Sequence, residues 1–148
     1  MRTKTSNWFE TKVKYEKTME DGCQKHVTEQ FVVEALSFTE AEARITEEMK
    51  PFVSGKMQVV GESIASYKEI TFSDDEAADK WYKTKVSFIT IDEKTSTEKK
   101  QNVMYLVQAS DFDDAKRNIA ELFKDTAIEY RIASQSETKI IDVYEVKQ

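Results

Sequence analysis

The chain states one pattern twice, and that repetition constrains its fold more than any other feature. Trp8-Phe9-Glu10-Thr11-Lys12-Val13-Lys14-Tyr15 returns as Trp81-Tyr82-Lys83-Thr84-Lys85-Val86-Ser87-Phe88, 73 residues later. Val33-Glu34-Ala35-Leu36-Ser37-Phe38-Thr39-Glu40-Ala41 returns as Val107-Gln108-Ala109-Ser110-Asp111-Phe112-Asp113-Asp114-Ala115, now 74 residues later. The midpoint of the 148 residues falls between the copies. Each copy must solve the same burial problem, so two similar halves are expected, residues 1–73 and 74–148, in one compact pseudo-dimeric unit.

Within the first copy, Phe9, Thr11, Val13 and Tyr15 alternate with Trp8, Glu10, Lys12 and Lys14. Period two with aromatic and β-branched residues predicts a half-buried strand. Tyr82, Thr84, Val86 and Phe88 repeat the apolar face. Asp21-Gly22 suits a tight hairpin turn, whereas Lys94 to Thr97 lacks the glycine and predicts a looser loop. A second strand is expected over Val27 to Leu36, and its counterpart over Gln101 to Ala109. A helix then follows, with Thr39 in the first copy and Asp113 in the second as capping residues. Ala41, Ile45, Met49 and Phe52 stand at helical spacing, as do Ala115, Ile119 and Phe123. Pro51 should stop the first helix near Met49 or Lys50. Residues 56–64 and 67–72 read as further strands, with 127–134 and 139–146 as their partners. The expectation is an α+β fold: a duplicated β-β-α-β-β unit with antiparallel sheets, two helices and about eight strands in a pseudo-twofold arrangement. Which strands pair between the halves is not readable.

Composition narrows the function classes. Apolar residues make up 39% of the chain, with eight Phe, six Tyr and two Trp, enough for a real core. No apolar run approaches the roughly 20 residues that cross a bilayer. The first seven residues carry basic side chains without a following apolar stretch, so no signal peptide is expected and the chain reads as cytoplasmic. The lone Cys23 excludes an intramolecular disulfide. A net charge of −6 disfavours wholesale attraction to nucleic acid or anionic lipid.

The Trp-aromatic-x-Thr-Lys-Val strand and the Ala35-Leu36-Ser37-Phe38-Thr39-Glu40-Ala41-Glu42-Ala43 helix start together resemble an uncharacterised family of proteins about this long from gut Bacteroidetes and their phages or mobile elements. The resemblance covers nearly the whole chain, and its motifs are structural. It implies a small accessory protein and carries no catalytic residues with it.

Candidate chemistry is sparse. Cys23 and His26 are the only residues of their types and lie on a polar hairpin. Structural zinc needs four ligands, mostly Cys and His, so no metal or other cofactor is expected. Three glycines, Gly22, Gly55 and Gly61, leave no phosphate-binding or dinucleotide loop. The many carboxylates read as helix caps and solvated faces, and no catalytic residue is assigned.

One constellation carries a binding hypothesis: Trp8, Lys12 and Lys14, repeated as Trp81, Lys83 and Lys85, on the strand faces opposite the apolar stripe. If exposed, the indoles can stack on single-stranded nucleic acid while the lysines meet phosphates. If buried, the tryptophans are core and the lysines snorkel outward. The sequence therefore reads as a non-enzymatic binding or protein-interaction module with an unidentified protein partner. Single-stranded nucleic-acid binding is the alternative. A deep polar pocket with clustered, perturbed side chains weighs against the non-enzymatic reading.

Overall fold

In a computed structural model, residues 1–146 are described. In chain order they form β1 (Arg2–Lys4), β2 (Trp8–Thr18), β3 (Gln24–Glu34), α1 (Phe38–Met49), a 3-10 turn (Lys50–Phe52), β4 (Met57–Ala65), β5 (Glu69–Phe72), β6 (Lys80–Asp92), β7 (Thr97–Ala109), α2 (Phe112–Phe123), β8 (Glu129–Glu137) and β9 (Ile140–Tyr144). The fold is α+β, with two mixed sheets and two helices.

The chain divides into two compact units that cut across the halves 1–73 and 74–148. One contains Ser6–Ser66 and the segment from Lys139 onward; the other contains Met1–Thr5 and Tyr67–Thr138. In the first, the α1 unit, the strands run β4-β2-β3-β9. In the second, the α2 unit, they run β1-β5-β7-β6-β8. The last strand of each sequence half thus sits in the unit built mainly by the other half.

This placement corrects the expectation of purely antiparallel sheets. The β2–β3 and β6–β7 hairpins are antiparallel, but β9 lies parallel to β3 and β5 lies parallel to β7. The second strand of each hairpin has an edge whose N–H and C=O groups need partners. In both units a sequence-distant strand supplies them. The short β1, which no residue pattern announces, extends the α2 unit by pairing with β5.

The two units match in detail. In the β2–β4 pair Val60 is left unpaired, because Lys12 faces Gly61 and Val13 faces Val59. In the β6–β8 pair Ala133 is left unpaired, because Lys85 faces Ser134 and Val86 faces Ile132. The two bulges stand 73 residues apart, and bulges sharpen strand twist locally. At the first hairpin Gly22 takes φ 83°, and at the second Ser96 takes φ 55°, so the turn without glycine still uses the left-handed region.

Both helices are capped two residues before the expected positions, at Ser37 and Asp111. Ser37 Oγ accepts from the Glu40 N–H at 3.1 Å, and Asp111 Oδ1 accepts from the Asp114 N–H at 2.7 Å. The Glu40 and Asp114 carboxylates in turn accept from the N–H groups of Leu36 and Ser110, which satisfies donors that a helix start otherwise leaves open. Phe38 and Phe112 are first-turn residues whose rings meet Phe9 and Tyr82 at 5.1 and 4.9 Å. Pro51 ends α1 at Met49 as expected, and the chain continues for one 3-10 turn.

Each helix covers one face of its sheet. Ala41, Ile45 and Met49 pack on Phe9, Val13, Tyr15, Phe31 and Val33. Ala115 and Ile119 pack on Tyr82, Val86, Tyr105 and Val107. The opposite strand faces carry Trp8, 1% exposed, and Trp81, 2% exposed. Phe72 meets the Trp81 indole edge-on at 5.7 Å. Trp81→Ala should therefore cost about 3–5 kcal/mol, read as a lowered midpoint in thermal or urea unfolding. A midpoint within error of the parent would contradict this placement.

Candidate functional site

The strand faces that suggested nucleic-acid stacking do not form a platform. Both indoles are buried, and Trp8 Nε1 meets no acceptor among the described residues. Lys12 and Lys14 are exposed on β2, whereas Lys83 and Lys85 are half-buried on β6. The Lys83 ammonium lies 5.9 Å from the Tyr67 ring centre. Cationic groups are present, but no indole face is open for a base to stack on. Cys23 and His26 are exposed on the first hairpin.

A different constellation gathers at the end of α1. A pocket of about 420 Å³ opens there in the α1 unit. Its walls come from the end of β2 (Tyr15 to Thr18), from Glu29 and Phe31 of β3, and from Ile141, Asp142 and Tyr144 of β9. Met49, Phe52 and Ser54 close it on the helix side. The alternation along β2 and β3 explains the convergence: Tyr15 and Lys17 share the helix-side face with Phe9 and Val13, and Glu29 shares it with Phe31. Register brings Asp142 beside Phe31 and Tyr144 beside Val33, because Ile141 is skipped in the β3–β9 pairing.

The β9 wall is fixed by polar ties. Arg44 of α1 donates to the Glu145 carbonyl at 2.7 Å. The Val146 N–H donates to Glu34 Oε1 at 2.8 Å, and Ser6 donates to the other oxygen of the same carboxylate. Phe31 and Tyr144 stack with ring centres 5.7 Å apart and 25° between planes.

Inside the pocket, Tyr15 donates its hydroxyl to Glu29 Oε1 at 2.5 Å, and the Lys17 ammonium lies 3.4 Å from Glu29 Oε2. Burial, then the bond to Glu29 and its charge, pushes the Tyr15 phenol well above its ordinary range. Burial, reinforced by the charges of Asp142, Glu48 and Glu29, pushes Tyr144 up to about 12. Asp142 keeps a solvent-facing edge, yet its partial burial raises its carboxyl. The Val143 N–H, donating to Asp142 Oδ1 at 2.8 Å, offsets part of that rise, and Glu48 adds to it. Both phenols therefore stay protonated at neutral pH, as hydrogen-bond donors and aromatic walls.

The matching place in the α2 unit is closed. Val86 faces Val103 as Val13 faces Glu29, so Val103 stands where the pocket has its glutamate. Phe88 stands where the pocket has Tyr15. Phe123 ends α2 as Met49 ends α1, and its ring lies 5.5 Å from Phe88, 5.8 Å from Tyr105 and 4.8 Å from Tyr130. One scaffold thus carries an aromatic plug at one helix end and a polar pocket at the other.

The sequence reading missed this site, placing Tyr15 only on an apolar stripe and Asp142 only in a terminal strand. The available signal was the set of helix-side positions at which the copies differ in polarity or bulk: Tyr15 against Phe88, Glu29 against Val103, Met49 against Phe123.

A raised carboxyl destabilises the fold once pH exceeds its unfolded range, because the unfolded chain releases the proton more readily. Asp142→Asn keeps the acceptor for Val143 and removes that term. It should raise the melting temperature at about pH 7 and leave it unchanged at about pH 3, where both states hold the proton. A gain of equal size at both pH values would refute the assignment.

No described helix is long and apolar enough to cross a membrane. No curated protein and no solved structure matches the chain. The family of unknown function designated DUF4494 matches residues 7–146, which span both units; the chain belongs to that family.

Proposed function

We propose that this protein is a non-enzymatic binding module whose α1 unit captures a small organic ligand, or a single side chain of a protein partner, in the pocket at the end of α1. The observation that carries the reading is the contrast between equivalent helix ends. A cavity left merely by imperfect packing is usually apolar and costs stability. Here the hydrogen-bonded Tyr15 and Glu29 stand where the closed version has Phe88 and Val103, and the unbranched Met49 stands where it has Phe123. Concave sites with aromatic walls and a few convergent polar groups are the usual form of ligand pockets.

Clustered, perturbed side chains also occur in active sites; the raised Asp142 carboxyl fits either reading, and the two phenols weigh against catalysis. Catalytic nucleophiles and bases are activated by lowered or near-neutral values. Tyr15 and Tyr144 are driven the opposite way, toward inert phenols. Ser54 and Thr18 are the aliphatic hydroxyl groups of the lining, and no histidine or cysteine lines it to act as their base. The setting in a phage or mobile element is carried by the sequence resemblance alone.

Met49→Phe imitates the closed helix end and tests the reading. Adding bulk at a packed site costs about 1–3 kcal/mol in general, so the variant should still fold. Fragments that raise the melting temperature of the parent protein should leave Met49→Phe unshifted. Hits that stabilise both proteins equally, or no hits at all, overturn the pocket assignment. New product resonances on incubation with a bound fragment overturn its non-enzymatic part.

A further inference from the structure

The pocket's own chemistry selects among small ligands. Two carboxylates stand on its helix-side walls, those of Glu29 and Asp142, against one ammonium, Lys17, which already lies against Glu29; Glu16 borders the pocket from the outer face of β2. Glu48 of the last turn of α1 adds its charge to the fields felt by Asp142 and Tyr144. The pocket also sits at the C-terminal end of α1, where the helix dipole is negative; Lys50 at the C-cap is paired with Glu47 and does not line the pocket. An anionic ligand would meet repulsion from each of these groups.

The walls add a second preference. Tyr15, Phe31, Phe52 and Tyr144 contribute four aromatic rings to one lining. Ring faces are negative, and aromatic walls of this kind attract ammonium groups, most of all alkylated ones that shed water easily. Phe52 is 65% exposed just after the helix stop at Pro51, so its ring is open to solvent along the lining. In the α2 unit Glu69 pairs with Tyr105 as Asp142 pairs with Phe31, but Val103 replaces the glutamate of β3 and Phe123 fills the space.

Resting on the pocket reading above, we propose that the site takes an organic ammonium group, alkylated or quaternary, with the rings of Tyr15, Phe31, Phe52 and Tyr144 around its apolar surface and the carboxylates of Glu29 and Asp142 opposing its charge. The phenols remain protonated, so the charge is met by the carboxylates and the ring faces. No bond is made or broken.

Choline and its neutral isostere 3,3-dimethylbutan-1-ol separate charge from shape. Each is titrated into the isotopically labelled full-length protein and followed by amide and aromatic resonances. Choline should shift resonances of Phe31, Asp142 and Tyr144 and bind roughly tenfold tighter than the alcohol. Asp142→Asn, which folds by the melting criterion given above, should reduce that preference to about threefold or less. Equal or tighter binding of the alcohol overturns the ammonium assignment and leaves the pocket reading standing. Absence of shifts with both probes also overturns it, while the fragment comparison between parent and Met49→Phe judges the pocket independently. An undiminished choline preference in Asp142→Asn removes Asp142 from the proposal.

Discussion

The parallel pairing of a sequence-distant strand onto each β-hairpin is the constraint on which the rest depends. Without β9, the outer edge of β3 would present unpaired backbone groups from Gln30 to Val33, and without β5 the same would hold for β7 from Tyr105 to Val107. Closing β9 onto β3 brings together residues more than a hundred positions apart, so the contact is entropically expensive to form and late by nature. What repays it locally is burial: Ile140 and Val143 are buried on β9, as Ile70 and Phe72 are on β5. The pocket inherits the same dependence. Asp142 and Tyr144 reach Phe31 only because β9 is seated, and the ties from Arg44 and to Glu34 hold that seat at the helix and at the neighbouring strand.

Given the shared frame, the two helix ends diverge through few substitutions. A 12-residue helix ends at Met49 in one unit and at Phe123 in the other. An unbranched side chain in place of a ring vacates volume over the sheet. On the strands beneath, a hydroxyl added to one aromatic and a carboxylate in place of one valine make the vacated space polar. Any one of these changes alone is unfavourable: a hole, an orphaned phenol or a buried carboxylate. Together they satisfy one another, because Tyr15 donates to Glu29 and Lys17 neutralises it.

Much of the frame can be read from residues alone. The alternation of Phe9, Thr11, Val13 and Tyr15, and its echo at Tyr82 to Phe88, places two strands with the correct inward face. Ala41, Ile45 and Met49 give the buried face of α1, and Pro51 gives its end. Other features escape for definite reasons. Ser37 and Thr39 are both competent caps, and only the bond from Glu40 N–H decides between them. Arg2 to Lys4 has no apolar alternation, because β1 is an edge strand of three residues held by backbone pairing. The partner of β9 is hidden because Ile140 to Tyr144 reads equally well against either edge, and parallel pairing leaves no turn signal. The tryptophans pose the reverse problem: their alternation with lysine fits a wet platform and a buried wall alike, and burial is decided by the rest of the fold.

The site escapes a reading of motifs because none of its residues is unusual for its position taken singly. Tyr15 is an acceptable core-facing aromatic, Glu29 an ordinary residue near a strand end, and Asp142 an ordinary acid in an edge strand. Their meaning lies in their mutual sign. Phenols driven upward by burial stand beside carboxylates in the same wall, at the negative end of a helix. A core optimised for stability alone would not place these groups together, since each raises the cost of burying the next. In the α2 unit the same space is filled by Phe123 against three further rings, and the one carboxylate set beside them on the strands is Glu69, paired with Tyr105. What sets the α1 end apart is Tyr15 with Glu29 in place of Phe88 with Val103, and Met49 in place of Phe123, which leaves an open acidic and aromatic pocket there and points to a ligand whose charge is of the opposite sign.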